Sequence, residues 1–160
     1  MDILKADNLK IEKSRFSEVY NLAPRLRLDD KEEVKAGGST PLEALKAGIR
    51  TSDECLSVYT KDGTLIGMFG YRKIKTLKDT AVIWFLGSDE IEKYPLALVK
   101  QGRKYIENLN KKYTLTNYVY SKNKTHINYL KHLKFIVEDN TPIEYNGEIF
   151  YGFYKPKKEV

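Results

Sequence analysis

The fold is decided by the stretch from Thr116 to Phe135, which has the sequence TNYVYSKNKTHINYLKHLKF. Its start, Tyr118 to Tyr120, predicts a strand, because aromatic residues suit a half-buried pleated surface. Asn123 to His132 predicts a short helix, in which Asn123 caps free N–H groups and contributes about 1 kcal/mol. Phe135 to Val137 predicts the next strand. We therefore expect a strand, a helix and a strand in succession.

The flanking segments extend this alternation of strand and helix. Upstream, Ala81 to Leu86 is a nearly continuous apolar run, as expected of a strand buried on both faces. Pro95 to Leu109 predicts the helix that follows it. Downstream, Glu148 to Phe153 predicts the last strand, joined to the preceding one through Asn146-Gly147. This β-α-β-α-β passage implies some parallel pairing through helical crossovers.

The N-terminal half predicts a strand, helices and an antiparallel hairpin. Its helix ends are marked by residues that suit them, since glycine favours a helix C-terminus and proline the first turn. The predicted segments are strand Leu9 to Glu12, a helix capped by Ser14 and ended or kinked by Pro24, helix Leu28 to Ala36 closed by Gly37-Gly38, a helix starting at Thr40-Pro41, and hairpin strands Cys55 to Tyr59 and Leu65 to Tyr71. Phe16, Val19 and Tyr20 stand at helical spacing in the first of these helices. The predicted order is β-α-α-β-β-β-α-β-α-β-β. This order indicates an α/β fold with a mixed, twisted sheet and helices on both faces.

Length and composition indicate one globular domain. The chain has 160 residues, of which 41% are hydrophobic and 31% charged, values typical of a soluble domain with a sizeable core. We expect a single domain over residues 1–160 with a flexible tail from about residue 155. The net charge of +6 favours a nucleic acid, an acidic cofactor or simply a solvated surface. The positive residues are spread along the chain, which favours the solvated surface.

Three features bear on the location of the protein. The chain has no run of about 18 apolar residues, so we expect no membrane span. The segment from Met1 to Lys10 is too polar for a signal peptide. Cys55 is the only cysteine, which excludes an internal disulfide and predicts a buried, inert thiol. We expect a reducing, intracellular setting.

The helix and strand of the opening stretch resemble a pattern of the GNAT (Gcn5-related N-acetyltransferase) superfamily. In that family an Asn opens the penultimate helix, apolar residues run through the helix, and Leu-Gly-Phe follows. Asn123, Leu133 and Phe135 match this pattern, whereas Lys134 stands where the glycine is usual. The predicted order of elements is also similar to that of a GNAT domain.

Six short pieces, in order, resemble a phage branch of this superfamily. The branch includes small internal virion proteins of short-tailed phages, which are acetyltransferase-like. The pieces are residues 28–34, 40–45, 52–55, 67–70, 84–88 and 115–119. Each piece is weak alone, but six in the same order make the resemblance strong from about residue 25 to the end.

The resemblance implies that a loop after the fourth strand holds the diphosphate of acetyl-CoA, with Leu86, Gly87, Ser88 and Asn123 as the cofactor contacts. Such a loop needs closely spaced glycines, because only small residues let backbone N–H groups approach phosphate. The loop here has one glycine, and its carboxylates would repel a polyphosphate or else complement a helix dipole. These carboxylates are Asp89, Glu90 and Glu92. Acetyl-CoA is therefore implied by the fold and opposed by the loop.

The usual general acid of the family is a Tyr in the penultimate helix. Counted from Asn123, the matching position is Leu130. Tyr129 is adjacent and would point about 100° away around the helix. Tyr129 is therefore the nearest catalytic candidate, with packing against the core as its alternative role.

The best candidate for a catalytic base is Glu33, which lies in the phage-branch piece 28–34. A solvated helix face is the alternative role of its carboxylate. The other candidates for the base are Glu32, Asp53, Glu54 and His126. His126 has no partner at a metal-ligand spacing, since His132 is six residues away. We expect no metal.

Three functions follow as alternatives. The first is a non-catalytic or weakly catalytic GNAT-fold phage protein that acts in the virion, in assembly or on a host factor. The second is an acetyl-CoA-dependent N-acyltransferase that modifies a protein amine. The third is a basic nucleic-acid-binding module, supported by the net charge alone. We expect a phage or host protein as partner, no membrane, and a location in the virion or host cytoplasm without secretion.

Overall fold

Eight strands form one mixed sheet in the computed structural model, which describes residues 9–159. The strands are β1 Lys10–Lys13, β2 Glu54–Tyr59, β3 Leu65–Lys73, β4 Thr80–Gly87, β5 Thr114–Tyr120, β6 Ile136–Val137, β7 Ile143–Tyr145 and β8 Glu148–Lys155. The helices are α1 Glu18–Leu22, α2 Leu28–Ala36, α3 Pro41–Thr51, α4 Pro95–Asn110 and α5 Lys124–His132, with 3-10 turns at Ala23–Arg25 and Asp89–Lys93. Residues 1–8 and residue 160, the two ends of the predicted domain, lie outside the described residues. They include most of the N-terminal segment, Met1 to Lys10, that is too polar for a signal peptide.

The sheet has the strand order β1-β2-β3-β4-β5-β8-β6, and β7 also pairs with β8. Strands β4 and β5 are parallel, while the other pairs are antiparallel. The predicted mixed sheet is confirmed. The parallel pair is short, because Thr80–Val82 face 114–116 and no further pairs form. Both strands continue beyond that point, to Gly87 and Tyr120, so they part towards their C-terminal ends.

Helices cover both faces of the sheet, as predicted. On one face, α1 and α3 bury Val19, Leu22 and Leu45 against strand residues such as Met68 and Leu86. On the other face, α4 and α5 form a second core with β4, β5 and β8. Its residues include Ile83, Ile106, Val119, Ile127, Leu130 and Phe153. Each face therefore has its own core, and the parted strands lie between them.

Helix ends follow the predicted signals. Thr40 Oγ1 accepts a hydrogen bond from the Glu43 N–H at 3.2 Å, with Pro41 in the first turn. Gly38 ends α2 with a φ of 83°. At the end of α5, the Phe135 N–H donates to Leu130 O at 3.0 Å while Lys134 has a φ of 69°, which is a Schellman motif. Lys134, which stands where the family pattern has glycine, thus has a left-handed backbone conformation.

Three details of the predicted order are wrong. It counts two helices before β2, whereas the structure has three. The helical spacing of Phe16, Val19 and Tyr20 ahead of Pro24 does predict the segment that forms α1, but the predicted order leaves this helix out. It omits β7, whose three residues are all exposed and too few to establish an alternating pattern. It also starts β5 at Tyr118, although pairing with β4 and β8 extends that strand back to Thr114.

The C-terminal segment follows the start of β5. The Lys157 N–H donates to Thr114 Oγ1 at 3.0 Å, and its Nζ lies 3.0 Å from Asp79 Oδ2. The Lys158 N–H donates to Asn110 O at 2.9 Å. The tail therefore makes specific contacts as far as residue 158.

Candidate functional site

A cleft of about 450 Å³ lies where β4 and β5 part. It is lined from both faces of the sheet, with Gly48 and Trp84 on one side and Gln101 and Tyr105 on the other. The Asn117 Nδ2 donates to Ile83 O at 2.7 Å and bridges the two strands where their pairing ends. The cleft therefore passes through the sheet.

The wall of the cleft is mainly apolar and aromatic. Phe69 stacks near Phe85 with ring centroids 6.3 Å apart, and Tyr105 meets Phe69 edge-on at 4.8 Å. The Tyr105 hydroxyl donates to Glu54 at 3.1 Å, and burial together with this carboxylate raises the pKa of Tyr105. Gly48 is required beside Trp84, because a Cβ atom there would lie 2.6 Å from the indole ring.

Two polar side chains from distant parts of the sequence meet in this cleft. Glu33 Oε1 accepts a hydrogen bond from the Tyr120 N–H at 2.8 Å, and Glu33 Oε2 lies 3.5 Å from His126 Nδ1. The second distance suits an ion pair but is too long for a well-formed hydrogen bond, and His126 Nδ1 is buried with no hydrogen-bond partner in the described residues. Glu33 and His126, both candidates from sequence, therefore form one pair in the cleft.

The other candidate bases lie elsewhere. Glu32 is exposed on α2. Asp53 Oδ2 accepts from the Lys73 N–H at 2.7 Å, and Glu54 bonds to Tyr105. Each carboxylate at the start of β2 thus has a structural partner.

Tyr129 borders the cleft but directs its hydroxyl into the protein. The hydroxyl donates to Leu98 O of α4 at 2.9 Å, and burial raises the pKa of Tyr129. A Cβ atom at Gly102 would collide with this hydroxyl, so the glycine provides its space. Leu130, at the family's acid position, is 2% exposed and belongs to the core. The catalytic role of Tyr129 stays a prediction.

Asp30 joins the segments that follow β4 and β5. Its side chain is fully buried and accepts hydrogen bonds from Arg27 Nε at 3.0 Å, the Gly87 N–H at 2.9 Å and Asn123 Nδ2 at 3.2 Å. Asn123 Oδ1 also accepts from the His126 N–H at 3.1 Å, so its predicted helix-capping role is confirmed. One carboxylate of α2 therefore links the end of β4 to the residue that caps α5.

The residues just after β4 are already bonded within the protein. The Ser88 N–H donates to Ile66 O at 2.9 Å, and Ser88 pairs with Leu26 in an isolated bridge. Ile91, 4% exposed, lies over Gly87, where a Cβ atom would collide with its Cδ1. The single glycine of the loop thus makes room for an apolar side chain.

Solved acetyltransferases share this architecture. An acetyltransferase (GNAT family) from Bacillus anthracis matches with a TM-score of 0.68 and 13% identity, over 96% of this chain and 97% of that one. The fold is the GNAT fold. A GCN5-related N-acetyltransferase from Kribbella flavida matches with a TM-score of 0.65 and 14% identity, over 94% and 98% of the two chains. Spermidine N-acetyltransferase from Vibrio cholerae, solved with CoA and spermine, gives 0.64 and 14% over 94% and 96%.

The sequence itself is similar to a phage family. Residues 77–140 match the family described as "Bacteriophage T7, probable scaffold protein Gp13". This segment contains β4, the loop after it, α4, β5 and α5. No curated protein matches the sequence. A phage-related chain with a GNAT fold is what these comparisons support.

The residues at the end of β4 do not offer free N–H groups to the diphosphate of CoA. In a GNAT fold that binds CoA there, backbone N–H groups must be free to meet phosphate oxygens. Here Asp30 and Ile66 O occupy the N–H groups of Gly87 and Ser88, and Ile91 covers Gly87. The loop also has the carboxylates Asp89, Glu90 and Glu92, of which Glu90 pairs with Lys93 at 3.0 Å. Leu86, Gly87 and Ser88 are buried and do not present a phosphate cradle.

Sequence reasoning missed Asp30, Arg27 and Ile91, the residues that close the loop. Asp30 is one of two adjacent aspartates at a helix start, where carboxylates complement the helix dipole in exposed positions as well. Ile91 is one apolar residue among charges. Only the packing of α2 across the strand ends distinguishes these residues from their neighbours.

Metal-ligating clusters and membrane-spanning helices are both absent from residues 9–159. No group of three or more His, Cys, Asp or Glu side chains there is arranged to hold a metal ion. None of the helices in this range has the length and apolarity required to cross a membrane.

Proposed function

We propose that this chain is a non-catalytic GNAT-fold binding protein of a phage, with a role in building the particle or in contacting a host factor. Support comes from the similarity of residues 77–140 to a family described as a probable scaffold protein. Further support comes from the altered loop in an otherwise complete GNAT architecture. The fold would then serve as a rigid scaffold for binding surfaces.

The observation that carries the proposal is the hydrogen bond from the Gly87 N–H to buried Asp30. A phosphate oxygen could take this N–H only by displacing the Asp30 carboxylate, a second anion that is buried and also bonded to Arg27 and Asn123. Breaking a buried charge pair in this way costs about 3–5 kcal/mol. That cost opposes cofactor binding at the position where the fold requires it.

The test is calorimetric titration of the purified protein with acetyl-CoA and, separately, with CoA. We expect no binding heat, while a CoA-binding GNAT enzyme in the same buffer serves as the positive control. Micromolar binding would refute the proposal. Mass spectrometry of purified particles tests the assembly role, for which the chain should be present in a fixed copy ratio to the coat protein.

A second candidate function is acyl transfer to a protein amine, favoured by the Glu33–His126 pair in a cleft that passes through the sheet. In that function the pair would take the proton from the attacking amine. Glu33→Gln should then abolish acetylation of a broad amine panel, while Glu32→Gln, on the exposed face of the same helix, leaves it intact. Absence of transfer by the wild-type protein eliminates this candidate.

A further inference from the structure

The part of the sheet formed by β5, β8, β6 and β7 is only partly covered on the side of α1–α3, where Ala36 of α2 buries Tyr120 and Phe150. Registers place Tyr118 opposite Gly152, Ile136 opposite Tyr154, and Ile143 opposite Phe150 on this side. The exposed fractions are 55% for Tyr118, 48% for Ile136, 42% for Ile143 and 59% for Tyr145. We call this surface, defined by Tyr118, Ile136, Ile143, Tyr145 and Gly152, the tyrosine face.

The tyrosine face is acidic in a basic protein. Residues 136–154 contain no Lys or Arg, whereas the chain has 28 in all. The same segment has four carboxylates, namely Glu138, Asp139, Glu144 and Glu148. Glu148 Oε2 accepts a hydrogen bond from the Tyr120 hydroxyl at 2.8 Å and is thereby fixed on this face. The local charge is therefore opposite to that of the whole molecule.

Gly152 creates a hollow in the middle of the tyrosine face. A Cβ atom built at Gly152 would lie 3.1 Å from Glu138 Oε1 and 3.7 Å from Tyr118 Cε1. A carboxylate and an aromatic ring thus meet over bare backbone. Glu138 is held there by its own N–H, which donates to Gly152 O at 2.8 Å.

This combination of a carboxylate and an aromatic ring suits a basic side chain. A carboxylate attracts an ammonium or guanidinium group, and the face of a tyrosine ring attracts the same cation. The neighbouring Ile136 and Ile143 offer apolar surface to the alternate side chains of such a segment. Both the charge and the shape therefore suit a segment in which basic and apolar residues alternate.

Other occupants fit the charges less well. Nucleic acid would bring phosphates against the carboxylates of Glu138 and Glu148. In a two-fold dimer the tyrosine face of one chain would contact the tyrosine face of the other. Like charges would then face each other. The observations favour a different, basic protein segment.

We propose that the tyrosine face binds a Lys- or Arg-bearing extended segment of another protein, with a basic side chain between Glu138 and Tyr118. This surface lies apart from the CoA loop, so the inference extends beyond the proposed function and does not depend on the absence of CoA binding. A positive CoA titration would refute the proposed function and leave this inference standing.

The experiment measures fluorescence anisotropy of labelled peptides at low ionic strength. A peptide of alternating Lys and Leu should bind, and one of alternating Lys and Ser should bind about tenfold more weakly because it lacks the apolar contacts. A peptide of alternating Glu and Leu should not bind. Equal binding of the two Lys peptides would overturn the inference, since bulk charge alone would explain it.

Variants localise the binding. Glu138→Lys and Tyr118→Ala should each weaken the Lys-Leu peptide about tenfold. Glu12→Lys, an exposed charge reversal on β1 at the other edge of the sheet, is the matched control and should have no effect. Circular dichroism checks that each variant is folded. Equal losses in all three variants, or a dimer in sedimentation that Glu138→Lys dissociates, would contradict the proposal.

Discussion

The connection after β4 and the connection after β5 flank the same cleft but are built differently. After β5, Asn123 caps α5 as in the family pattern that the sequence resembles. After β4, a 3-10 turn with Asp89, Glu90 and Glu92 replaces a glycine-rich loop, and Ile91 lies over Gly87. Both connections bond to Asp30.

This difference separates what the backbone needs from what a ligand needs. Every helix start leaves N–H groups that require a partner, so the role of Asn123 persists without any ligand. The loop after β4 needs small residues only if phosphate must approach it. Here the loop after β4 differs from the family pattern, whereas the cap of α5 follows it. We expect this combination in a GNAT fold that keeps its architecture without its cofactor.

Removing the shared carboxylate should have the largest effect. Asp30→Asn leaves buried Arg27 without its ion pair, so we expect a loss of about 3 kcal/mol in the free energy of unfolding, measured by urea denaturation. Asp29→Asn is the control, because Asp29 is only half-buried and accepts one hydrogen bond from Thr125 at 2.9 Å. Equal losses in the two variants would show that Asp30 does not join the connections.

Removing the Ile91 side chain, which lies over Gly87, tests the connection after β4 alone. Ile91→Ala should lower the free energy of unfolding by about 2 kcal/mol through loss of buried apolar contact. It should not create CoA affinity, because Asp30 still holds the Gly87 N–H. Leu96→Ala, at a side chain 57% exposed on α4, should be nearly neutral. CoA binding by Ile91→Ala would mean that the side chain alone closes the loop.

Asn123 has two roles in the connection after β5, the cap of α5 and the bond to Asp30, and substitutions can separate them. Asn123→Ala loses both the cap and the bond to Asp30, and we expect a cost of about 1–2 kcal/mol in thermal or chemical unfolding. Asn123→Ser keeps a capping hydroxyl and should recover part of that loss. If the Ser and Ala variants are equally unstable, the cap contributes nothing at this position.

The smallest effect is a gain in stability. Lys134 has a φ of 69°, where a side chain is strained and glycine is not. Lys134→Gly should therefore stabilise the protein by about 0.5–1 kcal/mol, whereas Lys131→Gly, inside α5, should destabilise it by about 1 kcal/mol. A loss of stability in Lys134→Gly would contradict the Schellman geometry.

The sequence predicts the elements whose signals are local. Asn123, Thr40-Pro41 and Gly37-Gly38 mark helix ends because their backbone requirements are met within a few residues. Strand β7 has no such signal, because its residues are exposed on both sides and are paired only by β8.

The site is predicted only in part, for a related reason. Glu33 and His126 can each be proposed as a base, but their meeting depends on how α2 crosses the ends of β4 and β5. The role of Asp30 depends on the same crossing, and nothing within a few residues of it distinguishes Asp30 from Asp29. The carboxylates of the loop can be read from the sequence, whereas the hydrogen bonds that occupy the N–H groups of Gly87 and Ser88 cannot.

The most direct test of the closed loop is the Gly87 amide itself, followed by nuclear magnetic resonance in ¹⁵N-labelled protein. If Asp30 holds this N–H, its hydrogen exchange is slow in the free protein and its chemical shift does not change as acetyl-CoA is added. Rapid exchange of the Gly87 amide, or a shift that saturates with acetyl-CoA, would contradict the account.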